Sequence, residues 1–196
     1  MSPVPTIESS ASLLLRLRNP GDEDAWTTFV SVYSPVIRQY CLRRGLQHAD
    51  GADITQEVFL RVSKAIRSFD YSPARGRFRS WLGMITSNEI SSHLVRAGRL
   101  KHEVTILTEN DEPDAQWNGA FTEHILAVAL DRIRGEFEPS TWTAFESAWM
   151  RHEAPTDIAA QLGVAIHAVY VNKSRVLKRL ETEIRLLADD LPMNPR

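Results

Sequence analysis

The side chains best suited to chemistry in this sequence are binders rather than bond-makers. Pro155-Thr156-Asp157-Ile158-Ala159-Ala160-Gln161-Leu162-Gly163, followed by Val164 to Leu180, has the layout of a helix-turn-helix. Pro155 opens a short helix, Ile158 and Leu162 form its core pair, and Gly163 supplies a tight turn. Ile166, Val169, Val176 and Leu180 are expected to face inward from the longer second helix. That helix would turn Tyr170, Asn172, Lys173 and Arg175 outward, where they can hydrogen-bond base edges or phosphates, while Lys178 and Arg179 suit the phosphate backbone. A second basic cluster, Arg75, Arg77, Arg79, Arg96, Arg99 and Lys101, is interrupted by a single acid, Glu89. A third group, Asp53, Gln56, Glu57, Arg61 and Lys64, stays off the apolar stripe of its helix and leaves a polar side free for a partner.

Bond-making chemistry finds no such support. His48, His93, His102, His124, His152 and His167 lack metal-ligand spacing, and His102-Glu103 and His152-Glu153 lack the second histidine of a zinc-protease helix. Neither a Gly-rich phosphate loop nor a nucleophile elbow occurs. The expectation is a protein that is not an enzyme, with no catalytic residue, metal or cofactor.

The elements that must position these groups are helical. Residues 1–10, with Pro3, Pro5 and three serines, read as a disordered lead. Leu13 to Arg18 could form a turn or two before Asn19-Pro20-Gly21, and Asp24 is a candidate N-cap for a helix reaching about Arg44. Trp26, Phe29, Val30, Tyr33, Ile37, Tyr40 and Cys41 share its broad apolar face, Pro35 should kink it and Gly45 should stop it. Ile54, Val58, Val62, Ala65, Ile66 and Phe69 make the stripe of the next helix, with Asp53 as N-cap and Gln56 completing a capping box. After Asp70, Pro73 and Gly76, the spacing resumes in Phe78, Trp81, Leu82, Ile85, Ile90 and Leu94. Periodicity then lapses over 101–121, read as a flexible acidic linker carrying Trp117. It returns in Ile125, Leu126, Ala129, Leu130, Ile133 and Phe137, and again after Pro139-Ser140 in Trp142, Phe145 and Trp149.

The fold class is therefore all-α, with two small helical domains at 11–100 and 122–190 and a tail at 191–196. A chain of 196 residues, 43% hydrophobic and 24% charged, has the material for two such cores. Cys41 is the only cysteine, so no intrachain disulfide forms, and a reducing cytoplasmic setting is expected. Leu13-Leu14-Leu15 is broken by Arg16 and Arg18, too short for a signal-peptide core or a membrane span. The net charge of -2 runs against a protein that coats nucleic acid, yet the acids concentrate at Glu103, Glu109, Asp111, Glu112 and Asp114, away from both basic clusters.

Three separated pieces carry a family resemblance. Asp53-Ile54-Thr55-Gln56-Glu57-Val58-Phe59, then Arg75-Gly76-Arg77-Phe78-Arg79-Ser80-Trp81-Leu82, then Asn88, resemble in order and spacing region two of the extracytoplasmic-function sigma factors, the small two-domain members of the sigma-70 family. The helix-turn-helix resembles their region four and follows at the expected distance. The resemblance implies a chain that binds core RNA polymerase and directs promoter recognition and DNA opening. It assigns Asp53, Gln56, Glu57, Phe59 and Arg61 to the clamp helices of the large polymerase subunit. It assigns Arg77, Trp81, Asn88, Arg96 and Arg99 to the proximal promoter element as single strand, and Tyr170, Asn172, Lys173, Arg175, Lys178 and Arg179 to the distal element as duplex. An anti-sigma protein is a further partner open to such a chain.

The sequence also departs from the family pattern. Ala165 and Tyr170-Val171-Asn172 stand where members often carry a Ser or Thr and a Lys-Ser-Arg run, and Lys173-Ser174-Arg175 comes a turn later. Local readings remain open beside the implied ones: Trp81 fits a core position as well as a base platform, Asn88 could link helices, Arg77 and Arg79 could form a solvated turn, and Tyr170 could pack. A helix-turn-helix regulator acting without polymerase is the alternative function.

Overall fold

The computed structural model describes residues 10–69, 78–98 and 115–188, and among them the regular structure is helical. Helix α1 (Ser10–Leu17) leads into α2 (Glu23–Arg43), α3 (His48–Ala65) and α4 (Phe78–Arg96). Then come α5 (Ala115–Arg134), α6 (Pro139–Phe145) continuing into a π-helical turn at Glu146–Met150, α7 (Pro155–Leu162) and α8 (Ile166–Leu187). Of the expected lead at 1–10, residues 1–9 lie outside the described residues and Ser10 opens α1; residues 101–114 of the expected linker and the tail at 191–196 also lie outside them.

The junction of α1 and α2 is held by Asp22, two residues before the expected cap Asp24. Its carboxylate accepts from the Ala25 amide at 3.1 Å and from Arg16 at 2.7 and 2.5 Å. The Arg16 guanidinium first, and the Ala25 amide second, hold this carboxyl below its usual range. Asp22 wins the position because only it reaches both the open amides of α2 and the arginine folding back from α1. Pro35 withholds a backbone donor, yet α2 continues through it, since buried Val32, Tyr33, Val36 and Ile37 grip the helix on either side. Of the expected face, Val30 instead stands 39% exposed. Gly45, at φ +78°, ends α2 with Leu46 donating to Cys41 O at 3.1 Å and Gly45 to Leu42 O at 3.0 Å.

Helix α3 begins at His48, so Asp53 is not its cap but an exposed position inside it. The earlier start brings Gly51 against α2, where an added Cβ would meet the Cys41 Cβ at 3.4 Å.

The linker expected through residue 121 ends earlier, because α5 starts at Ala115 and buries Trp117, Ala120 and Phe121. Trp117 donates its Nε1 proton to Arg79 O at 3.0 Å and meets Tyr40 edge-on at 5.3 Å. Phe121 stacks near Tyr33 at 6.1 Å, and His124 Nε2 reaches Val32 O at 2.5 Å. Helix α5 thus lies across α2 and carries the core from the N-terminal helices to α8, whose Leu187 O accepts from Tyr33 at 3.3 Å. A smaller cluster of Ala144, Ile158, Ala159 and Val169 seats α7 on the first half of α8.

Candidate functional site

Three helix faces carry the candidate residues. On α3, residues 53, 56, 57, 60, 61 and 64 are exposed, a polar strip opposite buried Ile54, Val58 and Val62. Asp53, Gln56 and Glu57 stand together on it. Phe59 does not: it is half-buried and meets the Phe29 ring at 5.6 Å, so it wedges α3 onto α2. Arg61 pairs with Glu89 of α4, a carboxylate only 3% exposed, and so ties the two helices together. Leu60 was missed in the sequence, and it is 53% exposed in the middle of the strip. Its signal was an apolar residue off the Ile54/Val58/Val62 stripe.

On α4, Trp81 is buried, with its ring 4.3 Å from Phe69 and 5.7 Å from Phe78. Of the two readings open for it, the structure takes the core one. At about 100° per residue, Trp81, Asn88 and Arg96 follow one side of α4, which passes from buried through half-buried to exposed. Arg79, close to a solvated turn in sequence, is only 7% exposed and lends its carbonyl to Trp117. Arg77 and Arg99 lie outside the described residues. Near the start of α3, His93 Nε2 stands 3.5 Å from Asp50 Oδ1.

On α8, Tyr170, Arg175 and Lys178 are exposed, while Asn172 and Lys173 are half-buried. Ile166, expected inward, is instead 45% exposed, although Val169 a turn later is buried against α7. Arg179 is committed elsewhere than to a phosphate. It forms a two-pronged pair with Glu136 at 2.7 and 2.6 Å and also reaches Glu183 at 3.0 Å. The Glu136 bond first, then the Glu183 bond, hold its guanidinium more firmly protonated than usual, against the opposing effect of burial. Glu183 is fully buried and is also reached by Arg132 at 3.3 Å, so the cluster fastens α8 to α5 and its following turn. Tyr170 and Lys173 border a shallow hollow of about 230 Å³ beside His152 and Glu153, with His152 in the left-handed region at φ +55°.

No group of His, Cys, Asp and Glu among the described residues is arranged to hold a metal ion. Burial pushes the Cys41 thiol up to about 12, which leaves it unreactive at neutral pH. No described helix is long and apolar enough to cross a membrane.

Comparison with known proteins falls on the same helices. The family model for Sigma-70 region 2 matches residues 29–100, which takes in most of α2 together with α3 and α4. Over 158 residues the chain is 27% identical to the ECF RNA polymerase sigma factor SigE of Mycolicibacterium smegmatis, a match covering 76% of this chain and 58% of that protein. It is 25% identical over 193 residues to the ECF RNA polymerase sigma factor BldN of Streptomyces coelicolor, covering 95% of this chain and 70% of that one. The ECF RNA polymerase sigma factor SigW of Bacillus subtilis is 37% identical over 68 residues, 35% of each chain.

Proposed function

We propose the following function for a chain that belongs to the extracytoplasmic-function sigma factors of the sigma-70 family: it binds core RNA polymerase and directs it to a subset of promoters, where it helps open the DNA. The observation that carries this reading is the coincidence of the matched span, 29–100, with the helices that build the exposed polar strip of α3. The work divides between 11–100, acting as region two, and 122–190, acting as region four. Residues 101–114 are the acidic connection and α5 is the bridge.

Asp53, Gln56 and Glu57 dock on the clamp helices of the large polymerase subunit, whose complementary charge speeds encounter and fixes register. Leu60, exposed among them, supplies the apolar centre that a polar strip lacks. Arg61 and Phe59 shape the strip from behind through Glu89 and Phe29.

Arg77, Arg96 and Arg99, with Asn88, attend the proximal element. Cations there release counterions from the phosphates, and an amide among them can hydrogen-bond the edge of a base that has left the stack. Trp81 acts as a buttress that keeps α4 in place. The binding free energy of these contacts offsets the unstacking of the DNA, so neither a cofactor nor hydrolysis is needed. Helices α7 and α8 form the region-four helix-turn-helix and read the distal element as duplex, with Lys178 and Arg175 on phosphates.

The test is assembly with purified core polymerase, followed by fluorescence anisotropy of the labelled chain. The wild-type chain should bind, and Asp53→Ala combined with Glu57→Ala should weaken binding by about tenfold or more. Unchanged assembly in that variant would contradict the role of the strip.

A further inference from the structure

Of the eight large apolar side chains exposed among the described residues, three, Ile166, Tyr170 and Val171, crowd into the first turns of α8. Isolated exposed apolar residues are ordinary, but a cluster on one helix end marks a contact surface. Two of the three are β-branched, a type that loses side-chain freedom in a helix and gains nothing there without packing.

The geometry says which residues face out. Val169 is buried against α7, and at about 100° per residue Lys178 lies roughly opposite it, with His167, Val171 and Ser174 close on either side. All four are exposed. Asn172 and Lys173 fall within about 60° of Val169, toward the covered side. Charge fits a polyanion, since no acidic residue occurs between Asp157 and Glu181 while Lys173, Arg175 and Lys178 do.

We infer that α8 reads its duplex through the face made by His167, Val171 and Ser174. Val171 packs on the C5-methyl group of a thymine in the major groove, and Asn172 takes no part in base reading. The inference rests on the region-four reading above and adds its specificity determinant. Thymine is the base whose major-groove edge offers an apolar group, so a rigid valine flanked by a hydroxyl and an imidazole selects it by contact and leaves neighbouring pairs to hydrogen bonds.

The experiment uses the full chain assembled with core polymerase and a pool of randomised duplexes, whose retained members define the distal element. Each thymine of that element is then replaced singly by deoxyuridine, which removes only the methyl. Binding should fall about three- to fivefold at one or two thymines, the loss of roughly one buried methyl-sized group. Val171→Ala should remove that sensitivity, and Ile166→Ala and Asn172→Ala should leave it intact. Because Val171 and Ile166 are exposed, their variants should fold as the parent does, which circular dichroism checks. A discrete element whose binding ignores every deoxyuridine overturns the inference alone. Retention of no discrete duplex element overturns the region-four reading and the inference with it. A free chain that sediments as a dimer and becomes monomeric in Val171→Ala assigns the patch to a second copy and overturns the inference.

Discussion

Helices α4 and α8 carry the same kinds of side chain, aromatic, aliphatic and basic, and dispose of them in opposite ways. Helix α4 is enclosed by α3 and α5, so Trp81 joins an aromatic core with Phe69 and Phe78, and even Arg79 is drawn inside. The first half of α8 is covered on one side, by α7 with Ala144 and Ala148 of the preceding helical segment, and Tyr170, Val171 and Ile166 stand exposed. The second half of α8 then repeats the behaviour of α4: Val176, Leu180, Ile184 and Leu187 are buried, and Arg179 is absorbed into a carboxylate cluster. Whether an arginine or an aromatic ring serves a partner or the fold is therefore decided by how many neighbouring helices cover its face. Residue type alone does not decide it.

Substitutions that remove one inward and one outward group on these helices separate the two behaviours. The largest effect belongs to Trp81→Ala, which leaves a cavity among aromatic rings and should cost about 3 to 5 kcal/mol in urea unfolding. Tyr170→Ala, the outward counterpart, should stay within about 0.5 kcal/mol of the parent. Equal losses would erase the distinction. Arg179→Ala should lower stability by about 1 to 3 kcal/mol, because fully buried Glu183 then keeps only Arg132. Stability unchanged with weaker DNA binding would return Arg179 to the phosphates. Leu60→Asp should weaken polymerase binding by about tenfold in anisotropy titrations without moving the unfolding midpoint, as expected for an exposed contact in a docking strip. The smallest effect is that of Lys178→Ala, which should reduce the slope of log affinity for distal-element duplex against log salt by about one and leave the preferred sequence alone.

Most of the helices were legible in the sequence, because apolar residues at helical spacing must find a core wherever the helices go. The stripe of α3, the face of α2 and the turn at Gly163 were all readable in this way. Caps were less so: Asp22 and Asp24 are equivalent as sequence signals, and Arg16 decides between them only after α1 folds back. The start of α5 was hidden by Asn118 and Gly119, which read as loop, while the partners that fix Trp117 are Tyr40 and the Arg79 carbonyl, remote in the chain. The polar strip around Asp53 was readable as polar residues off a stripe. Leu60 within it, and the outward turn of Ile166, depended on which faces neighbouring helices leave open. Ile166 keeps apolar spacing with Val169, so periodicity assigns it inward, and only its 45% exposure in the fold shows otherwise.

The measurement that bears most directly on the whole account is in vitro transcription with purified chain, purified bacterial core polymerase and a fragmented genomic library. The account predicts new, discrete start sites that depend on the chain and disappear in the Asp53→Ala, Glu57→Ala variant. A chain that binds duplex DNA but neither associates with core polymerase nor creates a start site would contradict it, and would leave a helix-turn-helix regulator whose α3 strip serves some other partner.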